Sequence, residues 1–250
     1  MRYYLDIPYD FPGNVRRTFD LIVPDQSNEK PPLLVWIHGG GWSEGDKRIH
    51  NEFERFCYHG YAILSIDYRF SSDAPFPAQL IDCKAAIRWA RANAEKYGYC
   101  TRKIIVGGNS AGGHLAMMLA LTNQSSDFDQ GDNLGYSSAI DGVLDLYGPT
   151  DLSALPTLTS ALEPLLQRNT ELTSLASPIN HVSADAPPTF IIHGQQDPIV
   201  PVEQSRVLYE ALKKAGAPVI YHEVPNAGHG FDDAKANELI TDFISSIHQQ

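Results

Sequence analysis

Ser110 stands between two glycines in Gly108-Asn109-Ser110-Ala111-Gly112, and upstream of it runs His38-Gly39-Gly40-Gly41-Trp42. A serine hydroxyl is a poor nucleophile near neutral pH. To attack a carbonyl it needs a histidine to take its proton and a carboxylate to hold that histidine in one tautomer. It also needs donors preset where negative charge will develop on the carbonyl oxygen. Gly-x-Ser-x-Gly suits a sharp strand-to-helix turn that lifts the hydroxyl clear of the backbone, and His-Gly-Gly-Gly suits a loop that turns backbone N–H groups toward an oxyanion. A bare Gly-x-Ser-x-Gly arises by chance in roughly one chain in ten of this size. The serine motif therefore takes its weight from the glycine run before it and from the elements that flank both.

Those elements alternate. Short apolar runs rich in β-branched residues are separated by longer helical stretches, which predicts a mainly parallel α/β sheet with helices on both faces. Arg17 to Val23 alternates like a strand with one wetter face, and Leu33 to Ile37 is a continuous apolar run leading directly into the glycine loop. Ala62 to Ile66 reads as a buried strand. Ala78 to Tyr97 reads as a helix closed by Gly98. Ile104 to Val106 runs into the serine turn, and Ala111 to Leu121, rich in Ala, Leu and Met, suits a buried helix starting at the nucleophile. Ile140 to Leu146 and Thr189 to Ile192 read as strands, Val202 to Ala215 as a helix, and Val219 to Val224 as the last strand before a terminal helix. Gly148 to Pro188 lacks a clean period and reads as an excursion, a short and fairly open cap over the site. The expectation is one α/β-hydrolase domain over residues 1–250.

On such a fold the acid follows a late strand and the histidine follows the last one, in the order Ser, Asp or Glu, His. Asp197 and His229 occupy those places, with Pro198 keeping the acid's turn open and Gly228 and Gly230 giving the histidine's loop its freedom. Of the nine histidines, His38 reads as a shaper of the glycine loop, His114 lies on the helix after the serine, and His193 ends a strand. Asp67, Asp141, Asp145 and Asp151 read as loop caps and ion-pair partners. Ala111 is the first candidate oxyanion donor, joined by Gly40 and Gly41 in preference to Gly39. Trp42 reads either as a wall of the site or as plain core.

Bulk properties narrow the rest. A formal charge of -11 argues against nucleic acid, and 43% hydrophobic with 20% charged residues is ordinary for a globular chain. No apolar run is long enough for a membrane span. Cys57, Cys83 and Cys100 are odd in number and read as free, buried thiols. The start, MRYYLDIPYDF, lacks a basic head and an apolar core, so the default expectation is a cytoplasmic protein. No metal-ligand spacing and no dinucleotide fingerprint is present, so no cofactor is expected. Oligomeric state is left open.

With HGGGW at 38–42 and GNSAGGH at 108–114, the chain resembles the α/β-hydrolase esterases of the BD-FAE group, the feruloyl esterases and acetylesterases. GDK at 45–47, DYR at 67–69, FPAQ at 76–79, APPT at 186–189, HGQQDPIVP at 193–201 and GHGF at 228–231 extend the likeness over most of its length. The resemblance implies a carboxylic-ester hydrolase using Ser110, Asp197 and His229 on short acyl esters or on acyl groups of plant polysaccharides. Related hormone-sensitive-lipase-like enzymes often carry Asp where this chain has Asn109. An arylformamidase, a small peptidase, and a catalytically idle binding protein of the same fold stay open as alternatives, and the presence of His229 weighs against the last.

Overall fold

The computed structural model describes residues 1–10, 16–25, 29–48, 53–155 and 159–249. Eight strands, β1 (Arg2–Pro8), β2 (Thr18–Val23), β3 (Pro32–Ile37), β4 (Ala62–Ile66), β5 (Cys100–Asn109), β6 (Gly142–Leu146), β7 (Thr189–Gly194) and β8 (Val219–Val224), form one sheet. Their order is β1-β2-β4-β3-β5-β6-β7-β8. β1 pairs with β2 and β2 with β4 antiparallel, and the remaining pairs are parallel.

The helices are α1 (Arg55–Tyr58), α2 (Ala78–Tyr97), α3 (Ala111–Leu121), α4 (Thr159–Leu166), α5 (Thr170–Leu175), α6 (Glu203–Ala215) and α7 (Ala234–His248). Because successive strand residues point to opposite faces, each buried strand feeds two cores. Leu33, Val35 and Ile37 of β3 pack with Leu80 and Ile87 of α2, Leu115 and Leu119 of α3, and Leu208 and Leu212 of α6. Leu34 of the same strand faces the opposite layer, with Phe56 of α1 and Ile240, Phe243 and Ile244 of α7. This is the α/β-hydrolase fold, with helices on both faces of a mostly parallel sheet.

Two details differ from the expectation. The amino-terminal segment forms β1, whose Tyr3 and Leu5 are exposed at the sheet edge while Tyr4 packs against the core. Cys100 is half-buried rather than buried, although it is free like Cys57 and Cys83. The excursion resolves into a 3-10 turn at Leu152–Ala154, α4, α5 and a second 3-10 turn at Pro178–His181. Residues 156–158 of it lie outside the described residues.

Candidate active site

β5 runs straight into Ser110, which takes φ 53° and ψ -120° before α3 begins. An L-residue adopts that region only under constraint, and strain of this kind collects at functional sites. The constraint is visible. The Ser110 N–H donates to the Leu146 carbonyl at 2.9 Å, and its own carbonyl accepts the His114 N–H at 3.0 Å. A Cβ at Gly108 would collide with the Gly112 carbonyl, and one at Gly112 with the Ile37 carbonyl, so the two glycines let α3 press against β3 and β5.

Asp197 lies in the turn after β7 with its carboxylate fully buried. Its Oδ1 accepts the N–H groups of Ile199 at 2.8 Å and Val200 at 3.0 Å. Its Oδ2 accepts from His229 Nδ1 at 2.6 Å and from His193 Nε2 at 3.1 Å. Burial alone would raise this carboxyl, but the two imidazoles and two backbone donors outweigh it and hold Asp197 well below the usual carboxylate range. Since a carboxylate oxygen only accepts, His229 carries its proton on Nδ1 and presents the Nε2 lone pair away from the acid. His229, 15% exposed, sits in a tight loop closed by the Gly230 N–H on the Gly228 carbonyl at 3.0 Å.

Tyr147 joins the two halves. It follows Leu146, the residue that holds the Ser110 N–H, and its ring meets the His229 ring edge-on with centroids 4.7 Å apart. The serine turn at the end of β5 and the histidine loop after β8 are thus gathered around one residue at the end of β6.

In the glycine loop, Gly40 and Gly41 have φ of 107° and 56°, and the Gly40 carbonyl accepts the N–H groups of Ser43 and Glu44, both at 3.0 Å. The Gly39 N–H donates to Asn109 Oδ1 at 3.1 Å. Among the described residues no hydrogen bond is donated by the N–H of Gly40, Gly41 or Ala111. Ala111 opens α3, so its N–H is one of the free donors at the positive end of that helix. His38 braces the loop from below. Its Nδ1 donates to the Gly39 carbonyl at 2.6 Å, its ring stacks on Tyr68 at 4.5 Å, and burial lowers its pKa.

Sequence reasoning noted Asn109 and His193 without giving either a role. Asn109 is the residue that occupies Gly39, and His193 is the second donor to Asp197. Only their neighbourhoods hinted at this, Asn109 beside the serine and His193 at the strand end four residues before the acid. Trp42 is 1% exposed and turns its indole to His114, so it belongs to the core and does not wall the site. The other carboxylates have local partners. Asp67 binds Lys47 Nζ at 3.0 Å, Asp141 Oδ2 accepts the Ile104 N–H at 2.8 Å, Asp145 accepts the Gly148 N–H at 2.8 Å, and Asp151 caps the first 3-10 turn through the Ser153 N–H. Among the described residues no group of three His, Cys, Asp or Glu side chains is placed to hold a metal ion.

One cavity adjoins these loops and another lies in the excursion. The first, of about 270 Å³, is lined by His38, Asn109, Leu146 and Tyr147 together with Trp36 and Ile240. The second, of about 730 Å³, has Leu152, Leu155, Leu162 and Leu166 among hydroxyl-bearing residues. α4 comes close to the glycine loop, since a Cβ on Gly41 would touch Ala161 Cβ at 3.5 Å.

Fold and site geometry together define an α/β-hydrolase. The family model described as BD-FAE matches residues 19–212, and the chain belongs to that family. It is 35% identical to Esterase LipC of Mycobacterium tuberculosis over 83% of this chain and 55% of that protein. With Esterase LipQ of the same organism it shares 34% identity over 97% of this chain and 62% of that protein. The chain thus spans little more than half the length of these curated relatives. A solved truncated carbohydrate esterase from gut microbiota superposes with a TM-score of 0.92 at 29% identity, covering 100% of this chain and 97% of that one. An acetyl ester-xyloside bifunctional hydrolase from Caldicellulosiruptor lactoaceticus superposes with a TM-score of 0.81 at 28% identity, covering 92% and 89%.

Proposed function

We propose that this chain is a serine carboxylic-ester hydrolase that works through an acyl-enzyme on short acyl or plant-polysaccharide esters, acetyl or feruloyl. The observation that carries the reading is the buried Asp197 carboxylate bound to His229 Nδ1 at 2.6 Å, on a fold whose strained elbow residue is a serine. The esterase names of the relatives and the carbohydrate-directed names of the structural neighbours support the substrate class.

In this reading Ser110 Oγ attacks the ester carbonyl while His229 Nε2 takes its proton. Asp197 stabilises the imidazolium that forms, and it remains a carboxylate because its hydrogen bonds favour the charged form. The carbonyl oxygen, now negative, lies against the N–H groups of Ala111, Gly40 and Gly41, each such donor being worth about 3 kcal/mol in the transition state. His229 then returns the proton to the departing alcohol oxygen, leaving the acyl group on Ser110. Water, activated by the same histidine, attacks this ester, releases the acid and restores the serine. The pairing of His229 with a buried acid favours a working relay over an idle binding fold.

The test is kcat/KM for an acetyl and a feruloyl ester of one xylo-oligosaccharide, with Ser110→Ala as the blank. Turnover of either ester above the blank is expected. Preference for acetate marks a small acyl pocket, and preference for ferulate an aromatic slot. Wild-type turnover no higher than that of Ser110→Ala overturns the reading.

A further inference from the structure

One side chain touches the glycine loop, the helix after the serine, and the excursion, although these segments are far apart in the chain. His114 lies in the first turn of α3, and its backbone N–H is the donor held by the Ser110 carbonyl at 3.0 Å. Its ring is 0% exposed. Nδ1 accepts the indole N–H of Trp42 at 3.2 Å, and Nε2 donates to the carbonyl of Ala176, the residue that caps α5, at 2.7 Å. Burial lowers its pKa to about 4, which leaves a neutral ring with one N–H and one lone pair. Both are used, so only one tautomer satisfies both neighbours.

What that ring holds is strained. Gly40, Gly41 and Trp42 have consecutive positive φ values of 107°, 56° and 58°. Glycine tolerates this, but a bulky residue does so only when its surroundings over-determine it. Trp42 is pinned at two points, its carbonyl by the Ser71 N–H at 2.8 Å and its indole by His114. The indole hydrogen bond is thus one of two that hold the left-handed turn at Trp42, directly beside the candidate oxyanion donor of Gly41.

We propose that His114 is a positioning residue for catalysis, holding Trp42 and thereby the Gly40–Gly41 turn in oxyanion-binding geometry and tying that turn to the excursion at Ala176. The inference rests on the ester-hydrolase reading above.

Three variants separate this role from simple packing. Trp42→Phe removes the N–H donor while keeping an aromatic ring. His114→Leu removes both hydrogen bonds, and His114→Gln restores an acceptor and a donor. Each is assayed on p-nitrophenyl acetate for kcat and KM, for inhibition by a trifluoromethyl ketone whose serine adduct carries an oxyanion, and for its melting temperature. Trp42→Phe and His114→Leu are expected to lower kcat about 10- to 100-fold with KM changed less than about threefold, because displacing a preset donor acts on the transition state. The ketone should weaken in parallel, and His114→Gln should recover part of the loss. If Trp42→Phe melts as a folded protein with kcat and ketone affinity within about twofold of wild type, the proposal is overturned, whatever His114→Leu does to stability. A wild-type protein inert toward both probes overturns the hydrolase reading itself, which active wild type with unaffected variants does not.

Discussion

His193 and His229 donate to one oxygen of Asp197, its Oδ2, at 3.1 and 2.6 Å. The other oxygen is held by two backbone N–H groups. A carboxylate gripped on both oxygens is fixed in place, so the turn after β7 sets the orientation of His229 together with the tight loop that carries the histidine.

Replacing Asp197 by Asn should therefore lower kcat by about 10⁴-fold, since an amide can donate to His229 and favour the wrong tautomer. Steady-state kinetics with circular dichroism as a check on folding would measure it. A folded variant losing less than tenfold would show that another group orients the histidine.

His193→Phe should be milder, with kcat reduced about tenfold, because Oδ2 keeps His229 and loses only one of its two donors. His193 Nε2 also faces the Val200 carbonyl at 2.9 Å and its Nδ1 accepts from the Ser205 hydroxyl at 2.7 Å, so some stability should be lost as well. Unchanged kcat in the folded variant would reduce His193 to a packing residue.

Asn109 should matter through its oxygen. Asn109→Ala frees the Gly39 N–H and loosens the glycine loop, lowering kcat about tenfold, whereas Asn109→Asp keeps the acceptor and should stay within a few-fold of wild type. Equal effects of the two substitutions would contradict the role assigned to this hydrogen bond.

Stability should respond to pH through Asp145. Burial pushes its carboxyl up to about 6, against the Gly148 N–H and His193, which lower it. A group raised in the folded state binds more protons there than in the unfolded chain, so it makes stability fall as pH rises from about 4 to about 6. Asp145→Asn removes that slope. Urea midpoints across this range should shift in favour of the variant as pH rises, beyond any constant offset from the amide, and parallel curves would refute it.

Gly112→Ala should cost about 2–4 kcal/mol in urea unfolding, because the new methyl meets the backbone carbonyl of Ile37, which cannot move without disturbing β3. A loss below about 0.5 kcal/mol would mean that α3 can lift from the sheet freely.

Much of the architecture is legible in the residue order. β3, β4 and β7 are mainly apolar runs because both of their faces are covered, and α2 ends where Gly98 takes the left-handed conformation that stops a helix. β1 escaped notice because it lies at the sheet edge, stays largely exposed and shifts register between Tyr4 and Ile7, which blurs its alternation. α4 and α5 are too short to display a helical period amid the Ser and Thr of the excursion.

The same division runs through the site. Residue order alone nominated Ser110, Asp197 and His229 and favoured Gly40 and Gly41. Turn chemistry, glycine spacing and chain order are local or sequential properties, written residue by residue. That Asn109 takes up Gly39, that His193 shares Asp197 with His229, and that Trp42 turns inward to His114 emerges from the packed fold. These are directional hydrogen bonds between side chains and partners that meet only once the sheet order has set β3 beside β5 and β7 beside β8, and no one-dimensional spacing encodes such a meeting.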